Sequence, residues 1–469
     1  MKTRRKHRVA EIEWPQFGPL GRPPEAPSAT ELRQRIDRAL AAMEQRGLTH
    51  LVVYADREHF ANLAFLTHFD PRFEEALLVL SRTLTPLMLV GNECKDYLPI
   101  SPLHAENGFR TELYQPFSLM DQPREKSRTI EAIFRDEAIG NTSRVGCVGW
   151  KYFSEREHPD STHAINIPAF LVDTLRSLAG RENVVNATSI FIDANDGLRT
   201  FCSARDIAYF EYANMLSSEA VRRILCNVKE GLTDHELAQQ AQYDGTPLCA
   251  YLNVKTGAKT VSLASPSGNE VRRGNRLSCN VAHWGSNVCR TGWVAESAAD
   301  LPVPARDYVP AFAGLYFEAM AAWFGALDIG APAAECADVI AELLPQDVFN
   351  ITLNPGHLIH LDEWISSPFY RGSTIRLHSG MAIQSDVIPS SKVYGSTRME
   401  DGYVPADATL RRELSERFPE TWSRCQARRK FMTDVLGIDM SDAVLPLSNI
   451  PAVVPPFFLS PGQLIVLER

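Results

Sequence analysis

The sequence predicts an α/β domain over residues 30–195, followed by an α+β domain over residues 200–405. Two observations lead to this prediction. Short apolar segments alternate with amphipathic helices in the first part, which is the order of elements in an α/β sheet. In the second part, pairs of helices alternate with strand-and-turn segments, which is typical of an α+β domain. An extended tail (1–29) and a C-terminal helix with a proline-rich extension (406–469) flank the two domains.

The first domain begins with a helix whose start is encoded locally. Ser28 and Glu31 have the spacing of a capping box, and Gly47 supplies a residue suited to the helix end. One apolar face follows at helical spacing: Leu32, Ile36, Leu40 and Met43. Buried strands are predicted at 48–55, 74–81, 85–91 and 144–150, and a second helix at 168–180.

The second domain begins with a long amphipathic helix at 206–231, and Thr233 and Glu236 cap the next helix. Strands and turns are predicted from residue 247, a helical region at 306–344, and further strands at 350–404. This alternation gives the domain its α+β character.

Composition limits the classes of function. The chain of 469 residues carries a net charge of −9, which disfavours nucleic acid as a partner because phosphates attract basic surfaces. No run of 18 apolar residues occurs, so no membrane span is expected. The basic N-terminus lacks the apolar segment of a secretory signal, and the nine cysteines have no paired spacing. We therefore expect a cytoplasmic protein with free thiols and a small-molecule substrate.

Four short stretches of the second domain contain histidines, carboxylates and amides. Each stretch lies within or beside a predicted strand. Histidine and carboxylates drawn from several strands are what a site for a divalent metal needs. The candidate residues are Asn280, His283 and Asn287, then His357, His360 and Glu363, then Asp386, and finally Arg398 and Glu400.

The order and spacing of these residues resemble the pita-bread family of creatinase, aminopeptidase P, methionine aminopeptidase and prolidase. That family holds two metal ions with two Asp, two Glu and one His. The position six residues after Gly274 and the position three residues before Arg290, where the family has aspartates, hold asparagines here. The matched positions are Asn280, Asn287, His357, Asp386 and Glu400. The resemblance covers residues 200–405, and residues 46–69 are similar to the creatinase N-terminal domain.

The departures from the family pattern concern charge and proton transfer. An asparagine offers a neutral oxygen, so only two of the four expected carboxylates remain. We expect no metal cofactor, and the alternative is one divalent ion (Mn, Zn or Fe) on His357, Asp386 and Glu400. The family's catalytic histidine is also missing, because Leu263, Ala264 or Ser265 stands at its position.

The two asparagines lie seven residues apart, where the family's aspartates are eleven apart. Because side chains alternate with period two along a strand, an even shortening keeps both residues on one face as a cross-strand pair. The same alternation places Cys279 on the opposite face from Asn280 and Cys289 on the face of Asn287.

These features predict a hydrolase that cleaves a C–N bond of a small polar substrate, nearest in site character to the metal-free creatinase branch, and a homodimer. The expected catalytic residues are His357, His360, Glu363 and Glu400, with His360 or His283 as proton carrier. The expected substrate-binding residues are Asn280, Asn287, His283, Arg290 and Arg398, and also Arg72, which follows Phe69 in the first domain. Two alternatives stay open: a non-catalytic binding protein with this fold, and the one-metal enzyme.

Overall fold

The structure is a computed structural model that describes residues 6–18, 20–258 and 264–468. The chain divides into two compact units, Glu25–Arg199 and a second unit of Met1–Pro24 with Thr200–Arg469. All nine cysteines are free thiols, as expected. Among the described helices, none combines the length and hydrophobicity that a bilayer span requires.

The N-terminal segment of the second unit includes a strand, β1 (His7–Glu11). It pairs antiparallel with the last strand of the chain, with His7 opposite Leu467. The His7 ring lies 2.7 Å from the Glu318 carboxylate, which fixes the start of the strand. This part of the predicted tail is therefore held in a sheet by backbone hydrogen bonds.

The unit Glu25–Arg199 is built on a six-stranded mixed sheet with order β5-β4-β3-β2-β6-β7. The capping box of Ser28 and Glu31 forms at the start of the first helix. The helices are α1 (Ala29–Gln45), α2 (Ala61–Thr67), α3 (Pro102–Ala105), α4 (Ile130–Asp136), α5 (Ala169–Ala179) and α6 (Ser189–Ile192). The strands are β2 (His50–Ala55), β3 (Ala76–Ser81), β4 (Leu87–Val90), β5 (Arg110–Leu113), β6 (Val145–Val148) and β7 (Val184–Asn186). Strands β2, β3, β4 and β6 are buried throughout, so the continuous apolar runs in the sequence are sheet core.

The second unit contains two four-stranded sheets with orders β13-β10-β9-β8 and β11-β12-β14-β15. Its helices are α7 (Ala204–Cys226), α8 (Asp234–Gln239), α9 (Gly314–Ala326), α10 (Ala333–Leu343), α11 (Gln346–Phe349), α12 (Ala408–Arg417) and α13 (Pro419–Asp434). Its strands are β8 (Asn253–Gly257), β9 (Arg276–Val281), β10 (Val288–Trp293), β11 (His357–Leu358), β12 (Ile383–Gln384), β13 (Arg398–Glu400), β14 (Gly402–Pro405), β15 (Val444–Pro446) and β16 (Gln463–Leu467). The predicted α/β plus α+β architecture is confirmed.

One residue, Asp401, separates the two sheets of the second unit along the chain. Strand β13 ends at Glu400 in the first sheet, and β14 begins at Gly402 in the second sheet. The C-terminal extension also belongs to this unit, because β15 pairs with β14 and the core around Phe210 includes Leu414 and Cys425. Side chains from both sheets therefore converge near Glu400.

Candidate functional site

The first sheet carries a row of polar side chains. In the antiparallel ladders, Asn280 lies opposite Cys289, and Cys289 lies opposite Glu400. Asn253 extends the row on the other side of Asn280. Residues directly opposite in an antiparallel ladder share a face of the sheet, so the four side chains point the same way. This face holds the candidate site.

The second sheet supplies the histidine and the other carboxylate. His357 lies opposite Gln384 in the ladder, and Asp386 follows two residues after the end of that strand. Gly356, just before His357, has φ +110°, and a Cβ there would lie 3.0 Å from the Gln384 carbonyl. The Pro-Gly-His sequence therefore permits the close approach of these two strands.

His357, Asp386 and Glu400 form one cluster, in which their side-chain ligand atoms lie within 4.8 Å of one another. The Nε2 of His357 is 3.7 Å from Oε1 of Glu400. The other ring nitrogen, Nδ1, is 3.1 Å from the Leu358 carbonyl. A proton on Nδ1 donated to this carbonyl would orient Nε2 toward the carboxylates.

Two further predicted residues contact this cluster. Asn287 donates a hydrogen bond of 3.0 Å from Nδ2 to Oε1 of Glu400. The Arg398 guanidinium lies 3.4 Å from Asp386 Oδ1 and 4.0 Å from Glu400 Oε2, and it donates to the Cys289 sulfur at 3.2 Å. A cation and an amide donor therefore hold the two carboxylates.

The pKa values of His357, Asp386 and Glu363 are all raised above their usual values. Burial lowers the pKa of His357, but the contact with Glu400 and the nearby carboxylates outweigh it and raise the pKa to about 9. Burial and the Glu400 charge raise the pKa of Asp386 to about 6 and that of Glu363 to about 8. At pH 7, His357 is therefore a cationic acid, Glu363 is mostly neutral, and Asp386 is ionised.

Several buried oxygens in and around the cluster accept no hydrogen bond from any described residue. They are Oδ1 of Asn280, Asn287 and Asp386, Oε1 of Glu363, and Oε1 of Gln384. Buried polar atoms in folded proteins are nearly always paired, and exceptions point to water, an ion or a ligand. This set of acceptors thus marks the position of a donor that the protein does not supply itself.

The register of the β9–β10 hairpin differs in one detail from the expectation that Asn280 and Asn287 form a cross-strand pair. Strand β10 places Cys289, not Asn287, opposite Asn280. Asn287 lies two residues nearer the turn, on the same face and diagonal to Asn280, because the turn takes up residues 282–287.

The two cysteines of the hairpin lie on opposite faces of the sheet. Cys279 lies on the face opposite to Asn280, as predicted. Burial raises the pKa of the Cys289 thiol to about 11, so it is a thiol and not a thiolate at pH 7.

The two histidines that we expected as proton carriers have other surroundings. The His283 ring lies 2.9 Å from the Ser217 hydroxyl of α7, and burial lowers its pKa to about 4. His360 is buried with its ring edge-on against Phe210 of α7, at 5.0 Å between ring centres. Neither belongs to the group of ligand atoms around Glu400.

Two arginines that we expected to bind substrate are engaged elsewhere. Arg290 points to the opposite face of the first sheet, where it binds Asp401 at 2.7 Å. Arg72 lies in the first unit, 3.5 Å from Asp70 and 2.8 Å from the Tyr97 hydroxyl. Phe69 is fully buried in that unit, so its side chain is core.

Two residues of the site face were missed in the sequence. Gln384 is fully buried, and neither of its side-chain polar atoms has a hydrogen-bond partner among the described residues. Asn253 ends the row on the first sheet. Period-two alternation from Asp386 back to Gln384 was the available signal, and Asn253 had none because its strand register depends on β9. Leu263, one candidate for the missing histidine position, lies outside the described residues.

The donor set does not fit a dinuclear metal centre. Two carboxylates and one histidine converge, the two asparagines contribute no charge, and Asn287 donates its amide proton to Glu400. The three converging side chains are a donor set that could hold one divalent ion.

Solved structures of peptidases are similar to this chain over most of their length. An Xaa-Pro dipeptidase from Bacillus anthracis has a TM-score of 0.60 at 13% identity, covering 81% of this chain and 96% of that chain. A prolidase from Thermococcus sibiricus has a TM-score of 0.61 at 15% identity, with 89% and 96% covered. An X-Pro aminopeptidase from Thermotoga maritima has a TM-score of 0.57 at 13% identity, with 79% and 94% covered.

The chain matches no protein-family model. No curated protein matches it. At these low identities, the structural likeness establishes the fold. The chain has the pita-bread fold of prolidases and Xaa-Pro peptidases, as the spacing of its site residues predicted.

Proposed function

We propose that this protein hydrolyses a C–N bond of a small polar substrate by side-chain acid–base chemistry, without a dinuclear metal centre. The single observation that carries the proposal is the convergence of His357, Asp386 and Glu400 within 4.8 Å on the buried junction of two sheets. The fold is shared with peptidases named for cleaving Xaa-Pro substrates, which favours hydrolysis over other reactions at this site. Fold alone does not decide activity, so the assignment rests on these side chains.

Two side chains have complementary proton-transfer roles. Asp386 is the general base, because its pKa of about 6 leaves it ionised at pH 7, with the Arg398 guanidinium 3.4 Å from its Oδ1 favouring the carboxylate form. It takes a proton from water, whose oxygen attacks the carbon of the C–N bond. His357, with a pKa of about 9, gives its proton to the departing nitrogen, so that an acid and an amine leave.

Three neighbouring side chains orient Asp386 and His357 or stabilise charge on the substrate. Glu400 faces the His357 imidazolium at 3.7 Å and keeps it oriented. Glu363, with a pKa of about 8, is mostly neutral at pH 7 and can donate a hydrogen bond to negative charge that develops on the substrate. Arg398 contributes a fixed positive charge at the same place.

The second unit has a cavity that touches the site at Arg398 and is not lined by His357, Asp386 or Glu400. This cavity of about 910 Å³ reaches Thr291 and Arg398 and extends along the segment 388–396. Its charged lining residues are three cations and one acid: Arg276, Lys392, Arg398 and Asp347. A polar substrate with an anionic group suits this lining.

The test is a screen for release of amine or ammonia from small amides, dipeptides and guanidino compounds, using metal-depleted and untreated protein. We expect turnover that survives metal depletion, with a rate that rises through about pH 6 and falls above about pH 9. Asp386→Asn and His357→Gln should each reduce kcat by about 10²–10⁴-fold.

The outcomes separate the alternatives. Activity that is lost on metal depletion and restored by one Mn²⁺ per chain would establish the one-metal enzyme instead. No turnover of any class, with thermal stabilisation by one of these compounds, would establish a non-catalytic binding protein. The homodimer, and the role for Arg72 that depends on it, stay predictions that light scattering can check.

A further inference from the structure

The cavity of the second unit lies over the same face of the first sheet as the cluster, farther along the strands. Its floor contains Arg276, Thr291 and Arg398, one residue from each of three neighbouring strands. Thr291 lies opposite Ser278 on one side and opposite Arg398 on the other. Because side chains alternate along a strand, these residues share the face of Glu400. The cavity therefore adjoins the cluster, although the histidine and carboxylates of the cluster do not line it.

Hydrogen bonds join the two walls of the cavity. One wall is helix α11 with the residue after it, and the other is the segment 388–396. The backbone nitrogen of Ser390 donates to the Phe349 carbonyl at 2.7 Å. Nδ2 of Asn350 donates to Oγ of Ser390 at 2.9 Å. The cavity is thus formed by contacts within the protein before any ligand binds.

The segment 388–396 also fixes the position of the Arg276 guanidinium. Nη2 of Arg276 donates to the carbonyls of Lys392 at 3.1 Å and Val393 at 2.9 Å. The guanidinium carbon lies 5.0 Å from the ring centre of Trp293. A Cβ at Gly395 would lie 2.6 Å from Nε of Arg276, so a glycine at this position permits the close approach. One cation is therefore held in place beside the exposed Lys392 side chain.

The charges of the cavity lining do not balance. Three cations, Arg276, Lys392 and Arg398, face one acid, Asp347, and three minus one leaves two net positive charges. Neither Lys392 nor Asp347 forms an ion pair with another described residue. Positive charges that line a concave surface attract anions.

Hydrogen-bond donors accompany these charges. Oγ of Ser391 accepts backbone N–H bonds from Val393 and Tyr394, at 3.3 and 3.2 Å, and no described residue accepts its own proton. The Arg398 side chain is 4% exposed, and its Nε has no hydrogen-bond partner in the described part of the chain. Unused donors beside a net positive charge suit an anionic oxygen group.

We propose that this cavity binds a small anion, a carboxylate or a phosphate, and that Arg276 and Lys392 recognise its charge. The site goes beyond the proposed function, because the acid and the base of the reaction do not line it and anion binding needs no turnover. The anion is either a group on the substrate, whose C–N bond then reaches the cluster past Arg398, or a separate molecule. The chemistry of recognition is the same in the two cases.

The experiment is a calorimetric titration of the full chain with inorganic phosphate and with succinate, at constant ionic strength. Succinamide is the neutral control probe. We expect one phosphate or succinate to bind per chain with a Kd in the millimolar range or tighter, and succinamide to give no binding heat.

Matched variants assign the binding to the cavity. Lys392→Gln and Arg276→Gln should each weaken anion binding about 3- to 10-fold, because each removes one positive charge. Asp347→Asn should strengthen it by a similar factor, because it removes the opposing charge. Lys430→Gln removes a lysine of helix α13 that does not line the cavity, and it should leave the Kd unchanged.

Kinetics with any substrate from the amine-release screen identifies the source of the anion. Phosphate or succinate that raises KM and leaves kcat unchanged places the anionic group on the substrate, provided that Lys392→Gln weakens the inhibition. Phosphate or succinate that leaves KM unchanged identifies a separate ligand. Either outcome supports the anion site.

Two results would overturn the proposal. One is wild-type protein that binds neither anion, and the other is binding that Lys392→Gln and Asp347→Asn leave unchanged. Both of these residues are exposed, so their variants decide the matter even if Arg276→Gln fails to fold. The titration is independent of turnover, so an inactive protein would refute the proposed function and leave the anion site standing.

Discussion

Two buried arginines of the same sheet, Arg290 and Arg398, have opposite surroundings. Arg290 donates to Asp401 at 2.7 Å and to four carbonyl oxygens, those of Cys289, Glu400, Ile450 and Val453, at 2.6 to 3.1 Å. Arg398 lies on the other face, 3.4 Å from its nearest carboxylate oxygen, and its Nε has no hydrogen-bond partner among the described residues. The guanidinium of Arg290 therefore has hydrogen-bond acceptors for all of its nitrogens, and that of Arg398 does not.

The difference separates a structural face from a functional face. A buried ion pair stabilises a fold only when its remaining protons are also hydrogen-bonded, and Arg290 meets that condition. The face of Arg398 keeps unpaired oxygens on Asn280, Asn287 and Asp386, which is a cost to the free protein that a bound ligand or water can offset. Incomplete pairing is thus a better guide to the site than charge alone.

The largest expected effect is on stability, at Arg290. Arg290→Met leaves Asp401 buried and unpaired and removes the donors of four carbonyls, so we expect a loss of about 3–5 kcal/mol in the free energy of unfolding. Arg398→Met should cost less than half of this, because its contacts are longer. Denaturant unfolding of both variants beside the wild type measures the comparison. Equal losses for the two variants would remove the distinction between the two faces.

The second effect is on the pH dependence of stability. The raised pKa values of Glu363 (about 8) and His357 (about 9) mean that the folded protein binds more protons than the unfolded chain. Stability is therefore greatest at low pH within this window and falls as pH rises, from 4.5 to 8 for Glu363 and from 6.5 to 9 for His357. We expect the unfolding temperature to drop by several degrees between pH 6 and pH 9.

Matched variants assign this pH dependence to the cluster. Glu363→Gln should flatten the fall below pH 8, and His357→Gln should flatten it between pH 6.5 and 9. His283→Gln is the contrasting variant: the lowered pKa of His283 makes the unfolded chain bind more protons than the folded protein near pH 6, so removing this group should steepen the fall and not flatten it. A fall that persists unchanged in both cluster variants would place the responsible groups elsewhere.

The sequence predicted the fold class and the convergence of the main cluster, and the reasons are local. His357, Asp386 and Glu400 were located by their order and spacing in the short motifs of the family that the sequence resembles, since each stretch taken alone is a weak signal. The partners of Arg290 and His283 could not be predicted, since they come from residues 450 and 453 and from α7, far away in the chain. The register that sets Asn280 opposite Cys289 depends on where the turn closes, which period-two patterning alone does not determine.

The smallest expected effect concerns His283, which the sequence suggested as a proton carrier. The residue is 4% exposed, and its ring lies at hydrogen-bond distance, 2.9 Å, from the Ser217 hydroxyl. With a pKa of about 4, it is neutral at pH 7 and has no proton to give from an imidazolium. We expect His283→Gln to lower the free energy of unfolding by about 1 kcal/mol, the size of one buried hydrogen bond, and to leave kcat and its pH profile unchanged. Steady-state kinetics across pH 5 to 10 makes the check. If one limb of the pH profile is lost, His283 is one of the proton-transfer groups. The acid–base pair would then lie on the α7 side of the hairpin and not at the junction of the two sheets, and the functional face would have to be assigned again.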